Sequence, residues 1–161
     1  MIRRLELKDT DKLKELLDKV TMDLLDRGIP QWQYPWDITF LIEEINQNDV
    51  FGLFKNEELI GSFSMKKIER GYYFYRLAIS PYFQGNGETK NIMDFLNQHY
   101  PKQTDIYLDC YYKNEKLKTL YTALGFVYIK DLPEEDYYVS VFHYQTKRGE
   151  KKHGDSGNRS K

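Results

Sequence analysis

YFQGNGETKNIMDFL, residues 82–96, sets Gly85 and Gly87 one residue apart against the start of an amphipathic run. Ile92, Phe95 and Leu96 recur at helical spacing with Met93 beside them, so a helix begins near Gly87. Immediately upstream, YYFYRLAIS (72–80) is apolar and aromatic enough for a buried strand, and Pro81 stops it. Strand, glycine turn and helix, in that order, offer backbone N–H groups to an anion.

The flanking chain reads as alternating elements. Residues 2–7 predict a short strand, and Asp9 or Thr10 caps a helix with Leu13, Leu16, Leu17, Val20 and Leu24 on one face, ended by Gly28. A second helix is expected over about 38–47, with Leu41 and Ile45 inward. VFGLF and ELIGSFSMKKI flank KNE as a hairpin. After the glycine turn and a helix over about 87–99 come a strand near 104–110 and a helix near 114–124, whose Leu117, Leu120, Tyr121 and Leu124 share one face. Gly125 stops that helix, and FVYIKDL and YYVSVFHYQ then pair as antiparallel strands. The expected class is α/β (or α+β): a mostly antiparallel mixed sheet of six to seven strands flanked by about four helices.

Composition bounds the function. The 161 residues are 40% hydrophobic and 16% aromatic, which suits one globular domain. A net charge of −1 gives no electrostatic case for nucleic acid. Residues 147–161, KRGEKKHGDSGNRSK, carry six Lys/Arg against two acids and no aliphatic or aromatic residue, and read as a disordered basic tail. The domain is therefore expected over 1–146, with a net −5. No stretch approaches the ~18 apolar residues of a membrane span and no leader is evident, so a cytoplasmic protein without a membrane partner is expected. Lone Cys110 has no internal disulfide partner and reads as a small buried hydrophobe. His99, His143 and His153 lie far apart with no Cys/His pair at ligand spacing, so no metal is expected.

Two phosphate-binding patterns fit the glycines poorly. A Walker motif, GxxxxGK[ST], does not occur. A dinucleotide fingerprint finds Gly85 and Gly87, with Asp109 where a ribose-binding acid belongs, but position 90 is Lys in place of the third glycine.

RLAISPYFQGNG resembles the signature of the GNAT superfamily of N-acetyltransferases, a strand ending apolar-Ala-apolar and then Gln/Arg-x-x-Gly-x-Gly/Ala opening a helix. Thirty residues on, NEKLKTLYTALGF is similar to that family's second motif: Asn114, Tyr121 seven residues later, then Gly125-Phe126. GIPQWQYP looks like a segment that some bacterial members carry between their first two helices. The resemblance implies acetyl-CoA as co-substrate, its phosphates held by Gln84, Gly85, Asn86, Gly87, Glu88, Thr89 and Lys90. It implies a pantetheine arm along the backbones of Leu77, Ala78 and Ile79, with the Ile79 N–H polarising the acetyl carbonyl and Asn114 meeting the coenzyme.

Periodicity alone reads Tyr121 as core and Asn114 as a helix N-cap; the motif makes Tyr121 the proton donor to the departing thiolate. A thiol near ~8.5 and a tyrosine near ~10 make that transfer uphill by roughly 2 kcal/mol. Where some members place a catalytic Glu, this chain has Tyr73, so no general base is identified. Tyr73 and Tyr75 are expected at the acceptor, with Trp32 and Tyr34; Trp32, Tyr34 and Trp36 equally suit lining an acceptor pocket or covering the core between two helices. Thr89 stands where the family prefers Gly or Ala, and Glu88 where an aliphatic residue is usual, placing charge and bulk beside an anionic ligand. The expected activity is direct acetyl transfer to a primary amine of a small molecule or peptide. A non-catalytic acyl-CoA sensor on the same fold is the alternative, and a homodimer is left open.

Overall fold

A computed structural model of the chain describes residues 1–147. The basic tail expected over 147–161 lies outside these residues except for Lys147, whose N–H donates to Asn97 Oδ1 at 3.0 Å. Seven strands and four α-helices alternate: β1 (Ile2–Arg4), α1 (Thr10–Asp26), α2 (Ile38–Gln47), β2 (Asp49–Lys55), β3 (Glu58–Ile68), β4 (Gly71–Ile79), α3 (Glu88–His99), β5 (Asp105–Tyr111), α4 (Glu115–Ala123), β6 (Val127–Glu134) and β7 (Tyr137–Gln145). They form one sheet in the order β1-β2-β3-β4-β5-β7-β6, antiparallel except between β4 and β5. Among the described residues no helix is long and apolar enough to cross a membrane.

Helices cover both faces of the sheet over β2 and β3, which explains why these strands are apolar almost throughout. One core joins α3 and α4 to the sheet through Phe51, Phe63, Phe74, Ile92, Leu96, Tyr121 and Phe142. The other joins α1 and α2 to the opposite face through Leu13, Leu17, Leu41, Ile45, Val50 and Leu59. Strand β5 alternates buried and half-buried positions, and β6 is exposed along its whole length. Pro133 is tolerated in β6 because this strand has no outer neighbour among the described residues.

The first strand is shorter than the expected 2–7. The Asp9 carboxylate accepts both guanidinium nitrogens of Arg3 and the Glu6 N–H, which turns the chain into a 3-10 turn at Leu7–Asp9. For the same reason Asp9 precedes α1 without capping it by its side chain. The KNE hairpin closes on Asn56 and Glu57, both at positive φ (50° and 70°), as a two-residue turn requires.

The feature that positions the site is the parting of β4 and β5. Their pairing consists of Tyr72–Ile106 and Tyr73–Tyr107 and goes no further. Beyond it, β4 carries one extra residue opposite β3 between Tyr75 and Ala78, and Arg76 there adopts φ +55°. Such a bulge bends its strand and sharpens the local twist. At the root of β4, Gly71 (φ +115°) lies so close to the Asp105 carbonyl that a Cβ would stand 2.1 Å from the oxygen. A side chain there would prise apart the only end at which the two strands meet.

Candidate active site

The gap between β4 and β5 opens into a cleft of about 1030 Å³ that passes through the sheet. Its lining runs from Val20, Leu24 and residues 29–32 on the α1 side to the starts of α3 and α4 on the other. Strand alternation explains this two-sidedness. Phe74, Leu108 and Cys110 belong to the α3–α4 core, so Tyr73, Tyr75 and Asp109 face the α1–α2 side.

At the α3 end the walls are Phe83–Gly85 and Gly87–Thr89. Gly85 and Gly87 hold φ +84° and +81°, and a Cβ added at either would meet nothing within 4 Å. The turn therefore needs left-handed backbone and leaves open space beside it. Gly87 is the N-cap of α3 and supplies no side-chain cap, so the first-turn N–H groups remain available to an anion. Glu88 does not point its charge freely at that space. Its buried carboxylate pairs with Lys55 Nζ at 2.9 Å and accepts from Asn91 at 3.3 Å. The Lys55 hydrogen bond pulls its pKa below the ordinary glutamate range. Thr89 is half-buried on the cleft wall.

Along β4, Leu77 and Ile79 line the cleft. The Ser80 N–H donates to the Ile60 carbonyl at 2.8 Å, so ladder alternation turns the Ile79 N–H and carbonyl away from β3 toward the gap. The Ile79 carbonyl accepts there from Gln84 Nε2 at 2.9 Å. Ala78 is buried in the α1–α2 core and does not line the cleft. Neither do exposed Asn86 and Lys90, and Lys90 lies 3.6 Å from Asp94.

From α4, Asn114, Lys116, Leu117, Leu120 and Tyr121 complete the wall. Asn114 Oδ1 caps α4 by accepting from the Leu117 N–H at 3.1 Å, while its Nδ2 makes no hydrogen bond among the described residues. Tyr121 is only 8% exposed and packs against Phe126 and Phe142. Its hydroxyl has no hydrogen-bond partner among the described residues, although a buried phenol ordinarily finds one. Burial first, then Cys110 and Asp109, pushes its pKa up to about 12. Core and cleft are thus not alternatives for Tyr121, whose ring is in one and whose side chain lines the other.

The α1 end is aromatic. Trp32, Tyr73 and Tyr75 line it, with Tyr73 and Tyr75 stacked at 5.3 Å. Trp36 instead packs on the helical core and donates from Nε1 to Thr21 Oγ1 at 2.9 Å. Tyr34 is 48% exposed and outside the cleft. Arg76 reaches the wall, but its guanidinium is held by Glu44 at 3.0 Å and lies within 5.3 Å of the Trp36, Phe40 and Tyr75 ring centres. Tyr75 also donates to Glu44, at 2.7 Å; burial first, then that bond, raises the phenol well above its usual pKa.

Asp109 and Lys116 also line the cleft, and the sequence reading gives neither of them a part in acetyl transfer. Asp109 Oδ1 accepts from the Tyr73 hydroxyl at 3.1 Å, and burial lifts its carboxyl above the usual aspartate range. Its signal in the sequence is the alternation of DIYLDCY, which sets Asp105, Tyr107 and Asp109 on one face and Ile106, Leu108 and Cys110 on the other. Cys110 also lines the cleft, but burial raises its thiol pKa and keeps it protonated. No group of three or more His, Cys, Asp or Glu residues that could hold a metal occurs among the described residues.

A family profile described as "Acetyltransferase (GNAT) domain" matches residues 37–147. The chain belongs to the GNAT acetyltransferase family and is an acetyl-CoA-dependent acetyltransferase. An uncharacterized N-acetyltransferase, YesJ, from Bacillus subtilis (strain 168) is 26% identical over 140 residues, covering 75% of this chain and 78% of the relative. The fold is similar to that of a GNAT-family acetyltransferase from Streptococcus agalactiae, with TM-score 0.74, 19% identity and coverage of 92% and 96% of the two chains. A chimera of the Vibrio cholerae spermidine N-acetyltransferase SpeG aligns with TM-score 0.71 and 21% identity over 90% and 94%. RimL, a ribosomal L7/L12 α-N-protein acetyltransferase in complex with coenzyme A, aligns with TM-score 0.72 and 15% identity over 90% and 93%.

Proposed function

We propose that this enzyme moves acetyl from acetyl-CoA directly to a primary amine, with the coenzyme at the α3–α4 end of the cleft and the amine at the aromatic end. The open space at Gly85 and Gly87 and the uncapped start of α3 suit a pyrophosphate. Asn114 Nδ2 and Lys116, which makes no ion pair among the described residues, suit the rest of the anion. The Ile79 N–H is directed to the gap, as an oxyanion donor requires. Lys55 offsets Glu88, so this family-atypical acid is compatible with an anionic ligand. A buried free thiol at Cys110 suits a reducing compartment such as the cytoplasm.

One observation carries the reading: Tyr121 lines the cleft with a buried hydroxyl that has no protein partner among the described residues. Such a group donates once a leaving sulfur arrives beside it. With the phenol at about 12 and a thiol near ~8.5, complete proton transfer is uphill by about 5 kcal/mol, more than unperturbed values imply. Donation therefore accompanies C–S cleavage, when the sulfur's charge is growing. The test is release of CoA thiol from acetyl-CoA across a panel of primary amines. Amine-dependent release with an N-acetylated product is expected; no release with any amine overturns the reading.

A further inference from the structure

Among the described residues two carboxylates line the cleft, Glu88 and Asp109. Glu88 is neutralised by Lys55. Asp109 has no cationic partner among the described residues; its one hydrogen bond comes from the Tyr73 phenol. Arg76, which also lines the cleft, is engaged by Glu44 and three aromatic rings. Asp109 is therefore a carboxylate with no cationic partner among the described residues, bonded to Tyr73 in the cleft that Trp32 and Tyr75 also line.

A cation is attracted both to a carboxylate and to aromatic faces, more strongly where water is excluded. We infer that Asp109 anchors the ammonium of the acceptor and takes its proton, and that the acceptor is a mono-ammonium amine on an apolar or aromatic body. The singleness of the charge carries the second half. A polyamine would bring further cations to a wall with no second free carboxylate among the described residues and with Arg76 already on it. The apolar surface of Ile29, Pro30 and Trp32 suits a body without charge.

The inference rests on the acetyl-transfer reading, and the step balances. Asp109 accepts one proton from R–NH3+, and the resulting amine forms an N–C bond with the acetyl carbonyl carbon. The C–S bond breaks, its electron pair leaves on sulfur, and sulfur takes the Tyr121 hydroxyl proton. The surplus proton on nitrogen passes to the Tyr121 oxygen, and Asp109 releases its own to solvent. R–NH3+ and acetyl-CoA thus give R–NH–CO–CH3, CoA–SH and one H+.

The experiment compares wild type with Asp109→Asn, which keeps the shape and can still accept from Tyr73. Binding of phenethylamine, phenethyl alcohol and spermidine is measured calorimetrically with CoA saturating, alongside thiol release from acetyl-CoA. Wild type is expected to bind phenethylamine at least about tenfold tighter than the alcohol and tighter than spermidine. Asp109→Asn should erase the preference for the amine, and turnover should fall by about 10²–10⁴-fold with CoA affinity unchanged. Amine binding and turnover retained within threefold in Asp109→Asn overturn the inference, and tighter binding of spermidine overturns its mono-ammonium half. Should Asp109→Asn not fold, Asp109→Ser carries the same comparison. Asp109-dependent amine binding without thiol release would instead sink the transfer reading and leave the anchor standing.

Discussion

The Tyr73 hydroxyl donates to Asp109 Oδ1 at 3.1 Å, and this bond sits beside Tyr73–Tyr107, the last backbone pair before β4 and β5 part. It ties the two lips of the cleft at the point where they diverge. Tyr73→Phe keeps the stack on Tyr75 and removes only this donor. The bond lowers a carboxyl that burial has raised, so its loss lifts the Asp109 pKa further. A base must be ionised to accept a proton. We expect turnover to fall about tenfold and the acidic limb of the pH–kcat profile to move to higher pH; an unmoved limb would dissociate Tyr73 from catalysis.

Gly87→Asp should fold and fail to bind. A Cβ at this position meets no atom within 4 Å, so the folding cost is limited to the left-handed backbone, on the order of 1–2 kcal/mol. The new carboxylate, however, enters the space proposed for the pyrophosphate. Calorimetry should find acetyl-CoA affinity reduced by about 100-fold or more, against a much smaller loss in Gly87→Asn. Equal affinities in wild type and the aspartate variant would remove the coenzyme from this turn.

Tyr121→Phe isolates one oxygen atom. Because the buried hydroxyl has no partner among the described residues, its removal should leave thermal stability unchanged or slightly higher. Turnover should nonetheless fall by about 10²–10⁴-fold while acetyl-CoA affinity stays within a few-fold. Activity within threefold of wild type would mean that the ring packs and the thiolate leaves unaided.

Glu88→Gln frees Lys55 beside the glycine turn. Acetyl-CoA should bind about threefold tighter at low salt, and the gain should vanish near ~0.5 M salt as the exposed ammonium is screened. Weaker binding would show that Glu88 positions the turn.

Asp9 and Asp109 should influence stability in opposite senses. Arg3 holds the Asp9 pKa below its ordinary value, so this pair stabilises above the unfolded value near ~3.9 and is lost as pH falls through the folded one. Arg3→Met should cost about 2 kcal/mol at pH 7 in denaturant titrations, a cost that shrinks once Asp9 protonates. The Asp109 pKa is raised, so its favourable term exists below the unfolded value and disappears as pH climbs through the folded one. Asp109→Asn should accordingly melt at or above the wild-type temperature at pH 7. A lower melting temperature would mean that the carboxylate is held for the fold and not for an acceptor.

Several elements are legible in the chain because their causes are local. Helix α2, the KNE hairpin and the strand–turn–helix over β4 and α3 each follow from periodicity and turn residues within a dozen positions. The strand expected over 2–7 is cut short by Arg3 and Asp9, six residues apart, whose ion pair overrides the apolar pattern. Tyr34 is as aromatic as Trp32, yet only the latter reaches the cleft, since neighbouring loop residues are sorted by packing on α1 and not by type.

By itself the sequence determined the sheet-and-helix order, the glycine turn and the paired Asn114–Tyr121 motif, all carried by near-neighbour spacing. Tertiary structure alone decided where charge stands in the cleft. Lys55 meets Glu88 because the β2–β3 turn lies against the start of α3, and Asp109 meets Tyr73 because β5 lies beside β4 across 36 residues of chain. Such partners are set by strand order and by the bulge at Arg76, which no local pattern encodes. The gap they frame exists only because two strands that begin as neighbours do not remain so.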